Sequence, residues 1–104
     1  MAKYALIFHG GVIPDTDEEG AEMMAAWGAW MDGLGEALTD PGNAFGYSTT
    51  IHSDGSTNPG GGPNPASGYC LLEADSLDAA VALAARCPIL DYGGSIEVAE
   101  TIDM

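Results

Sequence analysis

Basic residues are almost missing from this chain of 104 residues, in which Lys3 and Arg86 stand against sixteen acidic side chains. The formal net charge of -14 repels phosphate backbones and anionic headgroups, so we expect neither a nucleic-acid partner nor a membrane partner. Charged residues make up only 17% of the chain, so the acidity reflects scarce lysine more than abundant carboxylates. The balance is typical of a solubilising surface.

Long apolar runs are missing too, although 46% of the residues are apolar. A membrane-spanning helix needs about 20 consecutive apolar residues. The segment that follows Met1-Ala2-Lys3 lacks the basic region, the long apolar stretch and the cleavage site of an export signal. The length is enough for one hydrophobic core and too short for two. We therefore expect residues 1–104 to form one cytoplasmic domain.

Cysteine and histidine are scarce, and neither is spaced for metal chemistry. Cys70 and Cys87 have neither the density of a disulfide scaffold nor the Cys-x-x-Cys spacing of zinc and redox sites. We expect both to be buried, and a disulfide between them stays possible. His9 and His52 are forty-three positions apart, and Gly60-Gly61-Gly62 lacks the Lys-Ser/Thr pair of a phosphate loop. The sequence predicts no metal and no cofactor.

The first part of the chain has the pattern of a strand followed by an amphipathic helix. The strand, Lys3 to His9, is apolar on both faces. Thr16-Asp17-Glu18-Glu19 has the form of a capping box, which predicts that a helix begins there. The apolar stripe of this helix consists of Met23, Trp27, Trp30, Met31, Leu34 and Leu38. We expect its glycines to loosen the last turns or to end the helix early, and Asp40-Pro41-Gly42-Asn43 to close it.

The next part predicts two strands, a loop and a second helix. Phe45 to His52 alternates as an edge strand does, whereas Tyr69 to Ala74 is apolar on both sides. Between them, Ser53 to Ala66 is rich in Gly and Pro, which favours a flexible hairpin connection or a mobile lid. The second helix takes Asp75 as its N-cap and ends at Cys87-Pro88.

A last, half-exposed strand from Ser95 to Ile102 completes the order strand, helix, strand, strand, helix, strand. This order predicts an α+β fold, a ferredoxin-like βαββαβ sheet with two helices on one face. The first and third strands are central in that topology, and they are the two strands with two apolar faces. Because two helices cover only one face, the other exposes apolar side chains that a partner must bury. A twofold-related copy is the simplest partner, which predicts a homodimer; a ligand surface is the alternative.

The chain resembles the YCII-related (DGPF-type) family at Gly68 to Ala80, at Cys87-Pro88-Ile89-Leu90 and at Gly93 to Val98. The similarity extends to Lys3–Gly10 and to the helix with the tryptophans, and it covers most of the chain. The resemblance implies a dimeric α+β barrel, in which two ferredoxin-like sheets face each other, and a function that is mostly unassigned. Some members carry an aspartate and a first-helix histidine proposed as a catalytic dyad. Residues 23–38 contain no histidine, so we do not transfer that dyad.

Five residues are candidates for a site. His9, at the end of the first central strand, is the candidate catalytic acid or base, because imidazole changes its charge near neutral pH. The candidate ligand-binding residues are Trp27 and Trp30, as one wall of an apolar pocket between helix and sheet, together with His52 and Tyr69. Each has a structural alternative: the histidines bonded to backbone, and the aromatic rings packed in the core or on a strand.

The function predicted from these features is the binding of a small organic molecule in a cleft of a dimeric α+β barrel. Acid–base catalysis by His9 is one form of it, and it rests mainly on analogy between folds. A non-catalytic ligand-binding protein is the first alternative, favoured by the lack of a convincing acid–base pair. A structural or interaction module is the second, favoured by the acidic surface and the sheet face. The sequence is compatible with both an enzyme and a non-catalytic protein.

Overall fold

Six strands and two α-helices make up the part of the chain that the computed structural model describes, residues 2–11 and 14–103. In chain order they are β1 (Ala2–His9), α1 (Asp17–Leu34), β2 (Leu38–Ala44), β3 (Thr49–Ile51), β4 (Thr57–Pro59), β5 (Ala66–Ala74), α2 (Leu77–Ala84) and β6 (Ser95–Glu100). Four strands form an antiparallel sheet in the order β2-β5-β1-β6, and β3 pairs with β4 as a separate hairpin. The predicted ferredoxin-like α+β fold is confirmed, with β1 and β5 at the centre of the sheet.

Helix α1 begins where the capping box predicts. The Thr16 hydroxyl accepts a hydrogen bond from the backbone N–H of Glu19 at 3.1 Å, and acidic side chains occupy the first turn. The predicted end at Leu38 is wrong, because the helix stops at Leu34. Gly35 adopts φ 56°, a backbone conformation that terminates an α-helix, and a short 3-10 turn over Gly35–Ala37 leads into the sheet.

The second strand lies earlier in the chain than the predicted segment, Phe45 to His52. Strand β2 takes its place beside β5, although it contains the sequence Asp40-Pro41-Gly42-Asn43 that was expected to form a turn. The pairing register shifts on both sides of Asp40, so these residues form bulges within an edge strand rather than a turn. Pro41 is tolerated because an edge strand has backbone N–H groups that need no partner strand.

Part of the predicted strand instead forms the outer hairpin. Strand β3 pairs with β4, and β4 lies within the segment 53–66 that was predicted as a loop. The turn is held by Asp54, whose carboxylate accepts hydrogen bonds from the backbone N–H and the hydroxyl of Ser56. The hairpin-connection interpretation of this segment therefore fits better than an unstructured lid.

Helix α2 is capped one residue later than predicted. The Ser76 hydroxyl accepts a hydrogen bond from the backbone N–H of Ala79 at 3.1 Å, so Ser76 and not Asp75 is the N-cap. Both residue types suit an N-cap, and the strand β5 runs to Ala74, which leaves Asp75 in the connection. The prediction of Asp75 as the cap is wrong by one position.

The hydrophobic core lies between the sheet and the two helices. Its buried side chains are Tyr4, Leu6, Phe8, Trp30, Leu34, Cys70, Leu72, Ala74, Ala80, Ala84, Cys87 and Ile89. The Phe8 ring packs edge-to-face against Trp27 and Trp30, with centroids 5.2 and 6.3 Å away. The indole N–H of Trp30 donates to the backbone carbonyl of Leu83 at 3.0 Å. This hydrogen bond ties α1 to α2 across the core.

Neither of the two described helices lies on the opposite face of the sheet. The Cα atoms span only 18 Å along the shortest axis, which is the depth of one sheet and one helix layer about 10 Å apart. Ala5 and Ile7 of β1 lie opposite Leu71 and Tyr69 of β5, and all four are half-buried within the single chain. We call the surface made by these four residues the open face.

Candidate functional site

His9 ends β1. Its side chain lies on the same side of the sheet as the open face, because Ala5, Ile7 and His9 are each two positions apart in the strand. Its side chain is only 14% exposed. The Nδ1 atom lies 3.1 Å from the backbone carbonyl oxygen of Asn64. Since a carbonyl only accepts hydrogen bonds, Nδ1 must carry the hydrogen and donate it. This contact orients the ring and leaves Nε2 as the atom that can accept or deliver a proton.

Glu97 is the charged group nearest to that free nitrogen. Its Oε1 atom lies 3.9 Å from His9 Nε2, and its side chain is 70% exposed. The sheet register explains the encounter: Ile7 lies opposite Glu97 and His9 opposite Ser95, so His9 and Glu97 are diagonal neighbours on one face. The separation is too long for a hydrogen bond but short enough for a carboxylate to stabilise an imidazolium.

Tyr69 supplies an aromatic surface on the same face. It lies opposite Ile7 in the central strand pair, and the Phe45 ring stacks on it with centroids 5.8 Å apart and planes 24° apart. Phe45 is 46% exposed, so part of this stacked pair faces outward. Stacked aromatic rings of this kind can hold the apolar part of a small molecule.

A cleft of about 460 Å³ opens at this end of the sheet. Its walls are formed by Gly10 and Gly11 after β1, Phe45 after β2, and the glycine run 60–62 with Pro65. His9 does not itself line the cleft, but it directly precedes Gly10 and is bonded to Asn64, the neighbour of Pro65, so it is adjacent in the chain to residues that do. The Gly/Pro-rich segment thus contributes a wall and a hydrogen-bond acceptor to the candidate site.

The two tryptophans lie elsewhere. Trp27 and Trp30 contact Phe8, whose side chain points to the helices, whereas His9 points to the open face. The sheet therefore separates them from His9, and they do not share a cavity with it. His52 is exposed in the outer hairpin, where its Nε2 contacts the side-chain amide oxygen of Asn58. Of the five residues predicted for the site, the structure places His9 and Tyr69 on one face.

Sequence reasoning missed three contributors: Glu97, Asn64 and Phe45. Glu97 had a usable signal, since the alternation of the last strand puts it on the face opposite to Ile96 and Val98. Asn64 contributes a backbone carbonyl, for which no side-chain signal exists. Phe45 was assigned to a strand, and its position just after β2 is what turns its ring onto Tyr69.

The two thiols take no part in this face. Cys70 and Cys87 are 0% and 2% exposed, and both are free. Burial, followed by the neighbouring Cys87 and Asp40, raises the pKa of the Cys70 thiol to about 12. Burial also raises the pKa of the Cys87 thiol to about 11. Both therefore stay protonated at neutral pH, where they are poor nucleophiles.

Among residues 2–11 and 14–103, no three or more His, Cys, Asp or Glu side chains are placed to hold a metal ion. Over the same ranges, neither helix combines the length and apolar character that crossing a membrane requires.

Comparisons with known proteins agree with the fold described above. The family model of the YCII-related domain matches residues 3–104, which is nearly the whole chain. No curated protein matches the chain. The matched range includes His9, Glu97, Phe45 and Tyr69.

Proposed function

Because the chain belongs to the YCII-related family, we propose that it works as a homodimer whose open faces pack together and bind a small organic molecule beside His9. The observation that carries this proposal is the open face itself. Ala5, Ile7, Tyr69 and Leu71 form a continuous apolar centre on two central strands, and neither described helix lies over it. Burial of such a surface by a second copy is the simplest way to remove it from water.

Electrostatics set a condition on this association. Each chain has a formal charge of -14, so two copies repel each other at long range. Salt screens that repulsion over about 10 Å at 0.1 M, whereas the apolar contact is not weakened by it. Association is therefore expected to strengthen with ionic strength, which is opposite to the behaviour of an interface held by ion pairs.

The chemistry available at the site is proton transfer. The Asn64 carbonyl holds the Nδ1 hydrogen of His9, so Nε2 is free to take a proton from a bound molecule. Glu97 stabilises the imidazolium that forms, and Tyr69 with Phe45 holds the apolar part of the molecule. His9 would then return the proton to another atom of the same molecule or to water.

A second function, ligand binding without catalysis, is favoured by one specific observation. Glu97 makes no hydrogen bond to His9 at 3.9 Å and is largely exposed, so the imidazole lacks the tightly held carboxylate found in efficient dyads. In that case His9 Nε2 accepts a hydrogen bond from a ligand, and no bond in the ligand changes. A purely structural module remains as the third class, with the open face serving assembly alone.

The dimer is tested with Leu71→Glu, which places a carboxylate at the centre of the open face. We expect the wild-type chain to sediment as a dimer at about 0.15 M salt and this variant as a monomer, because burying an unpaired charge costs several kcal/mol. Val81→Glu is the matched control, since Val81 is 46% exposed on α2 on the far side of the sheet. A wild-type chain that stays monomeric on concentration would rule the dimer out, whatever the variants do.

The site is tested with a mixture of small metabolites analysed by mass spectrometry before and after incubation. We expect wild-type protein to consume a compound that His9→Gln leaves intact, with His52→Gln as the control that behaves like wild type. A compound retained by the protein but unchanged would favour the non-catalytic function. If nothing is consumed or retained, the small-molecule proposal fails and the structural module is left.

A further inference from the structure

A second concave surface lies on the helical side of the molecule, away from the open face. It is a groove of about 750 Å³ between α1 and the end of α2. Trp30 and Leu83 contribute apolar walls, and Arg86 and Tyr92 contribute polar groups. This volume is within the range of about 300–1,000 Å³ that small-molecule sites occupy.

Small residues on α1 make the groove. Ala26, Ala29 and Gly33 all line it, and they repeat at helical spacing on one side of α1. At Gly33 an added Cβ would meet no atom within 4 Å, so space is open there. Trp30 is only 8% exposed and hydrogen-bonded to Leu83, which makes the floor of the groove rigid as well as apolar.

Arg86 is the unusual member of this surface. It is one of two basic side chains in a chain with sixteen acidic ones, yet it forms no ion pair within the described residues. Asp91 lines the same groove, but its carboxylate lies more than 4.0 Å from the Arg86 guanidinium. A guanidinium offers a fork of N–H donors that matches a carboxylate in two parallel hydrogen bonds.

We propose that the groove binds a small organic carboxylate with an apolar body. The carboxylate pairs with the Arg86 guanidinium, and the apolar body lies along the small-residue side of α1 over Trp30. This site does not depend on the function proposed above, because it lies on the opposite side of the sheet and stays accessible in a dimer joined through the open faces.

A charge series of one apolar body tests the proposal. Decanoate, decanol and decylammonium are titrated into wild-type protein by calorimetry, below the concentrations at which they form micelles. We expect decanoate to bind most tightly and decylammonium least. The net charge of -14 by itself favours the opposite order, so tightest binding of decylammonium would overturn the proposal.

Variants then assign the binding to the groove. Arg86→Gln is expected to weaken decanoate about tenfold or more and leave decanol unchanged, since a hydrogen bond to a charged group is lost. Ala29→Phe is expected to weaken both, because its ring fills the space for the apolar body. Lys3→Gln removes the other basic side chain, on the sheet, and serves as the control that leaves all affinities unchanged. Equal loss in Lys3→Gln and Arg86→Gln would contradict a local site.

Discussion

Gly42→Ala is expected to destabilise the protein by about 3 kcal/mol or more, or to prevent folding altogether. Gly42 adopts φ 66°, which side chains rarely tolerate, and an added Cβ would lie 1.8 Å from the carbonyl oxygen of Tyr69. That oxygen belongs to the backbone of the central strand β5, so it cannot move away without disturbing the pairing of β2 with β5. Urea unfolding followed by circular dichroism measures the effect.

Gly28→Ala is the matched control for this experiment. Gly28 lies inside α1, and an added Cβ there meets no atom within 4 Å. Alanine is favoured over glycine in a helix interior by about 0.5–1 kcal/mol, so this variant is expected to be slightly more stable than wild type. A Gly42→Ala protein whose unfolding midpoint matches that of Gly28→Ala would show that the close approach to Tyr69 is not structurally required.

The segment that contains Gly42 explains why the sequence predicted the second strand at the wrong place. Asp40-Pro41-Gly42-Asn43 is a strong turn signal, since each residue type favours a tight change of direction. In the structure those preferences are met by bulges within an edge strand: the Asp40 carboxylate accepts the backbone N–H of Gly42 at 2.8 Å. Local propensity predicts the irregular backbone correctly, but only tertiary pairing with β5 decides whether it is a turn or a bulge.

The central strands were predictable because burial leaves a plain pattern. Strands β1 and β5 have apolar side chains on both faces, which identifies them as central, and the helix N-terminus at Thr16 follows from its capping box. Ends of elements were less predictable. The glycines of α1 indicated an early end of the helix. Nothing in the residue type of Leu38, however, distinguishes a position in the last helical turn from the first position of β2.

The candidate site shows the same division between local pattern and long-range contact. Period-two alternation puts His9 on one side of β1 and Phe8 on the other. Because α1 covers the Phe8 side, its tryptophans are separated from His9 by the sheet. The contacts of His9 with Asn64 and Glu97 join segments 55 and 88 positions away. No spacing rule within one element can predict such pairs.

The stability of the protein is expected to fall steeply above about pH 9, because two buried thiols resist ionisation. In the unfolded chain a thiol ionises near its ordinary pKa of about 8.5–9. Burial raises the pKa of Cys70 to about 12 and that of Cys87 to about 11 in the folded protein. A raised acid pKa contributes stability that is fully present below the unfolded pKa and is lost as pH rises toward the folded pKa. Each thiol therefore lowers the free energy of unfolding by about 2 to 3 kcal/mol by pH 11.

Cys70→Ala/Cys87→Ala separates the thiols from other alkaline effects when the free energy of unfolding is measured from pH 8 to pH 11 under reducing conditions. Burial and the nearby Glu100 also raise the pKa of Tyr4, which lowers stability at high pH in both proteins alike. We expect the double variant to be less stable at pH 8, where it has lost buried side-chain volume, but to decline less with pH. Parallel stability–pH curves for the two proteins would mean that both thiols reach water. The helices α1 and α2 would then not seal the core in which Cys70 and Cys87 are buried.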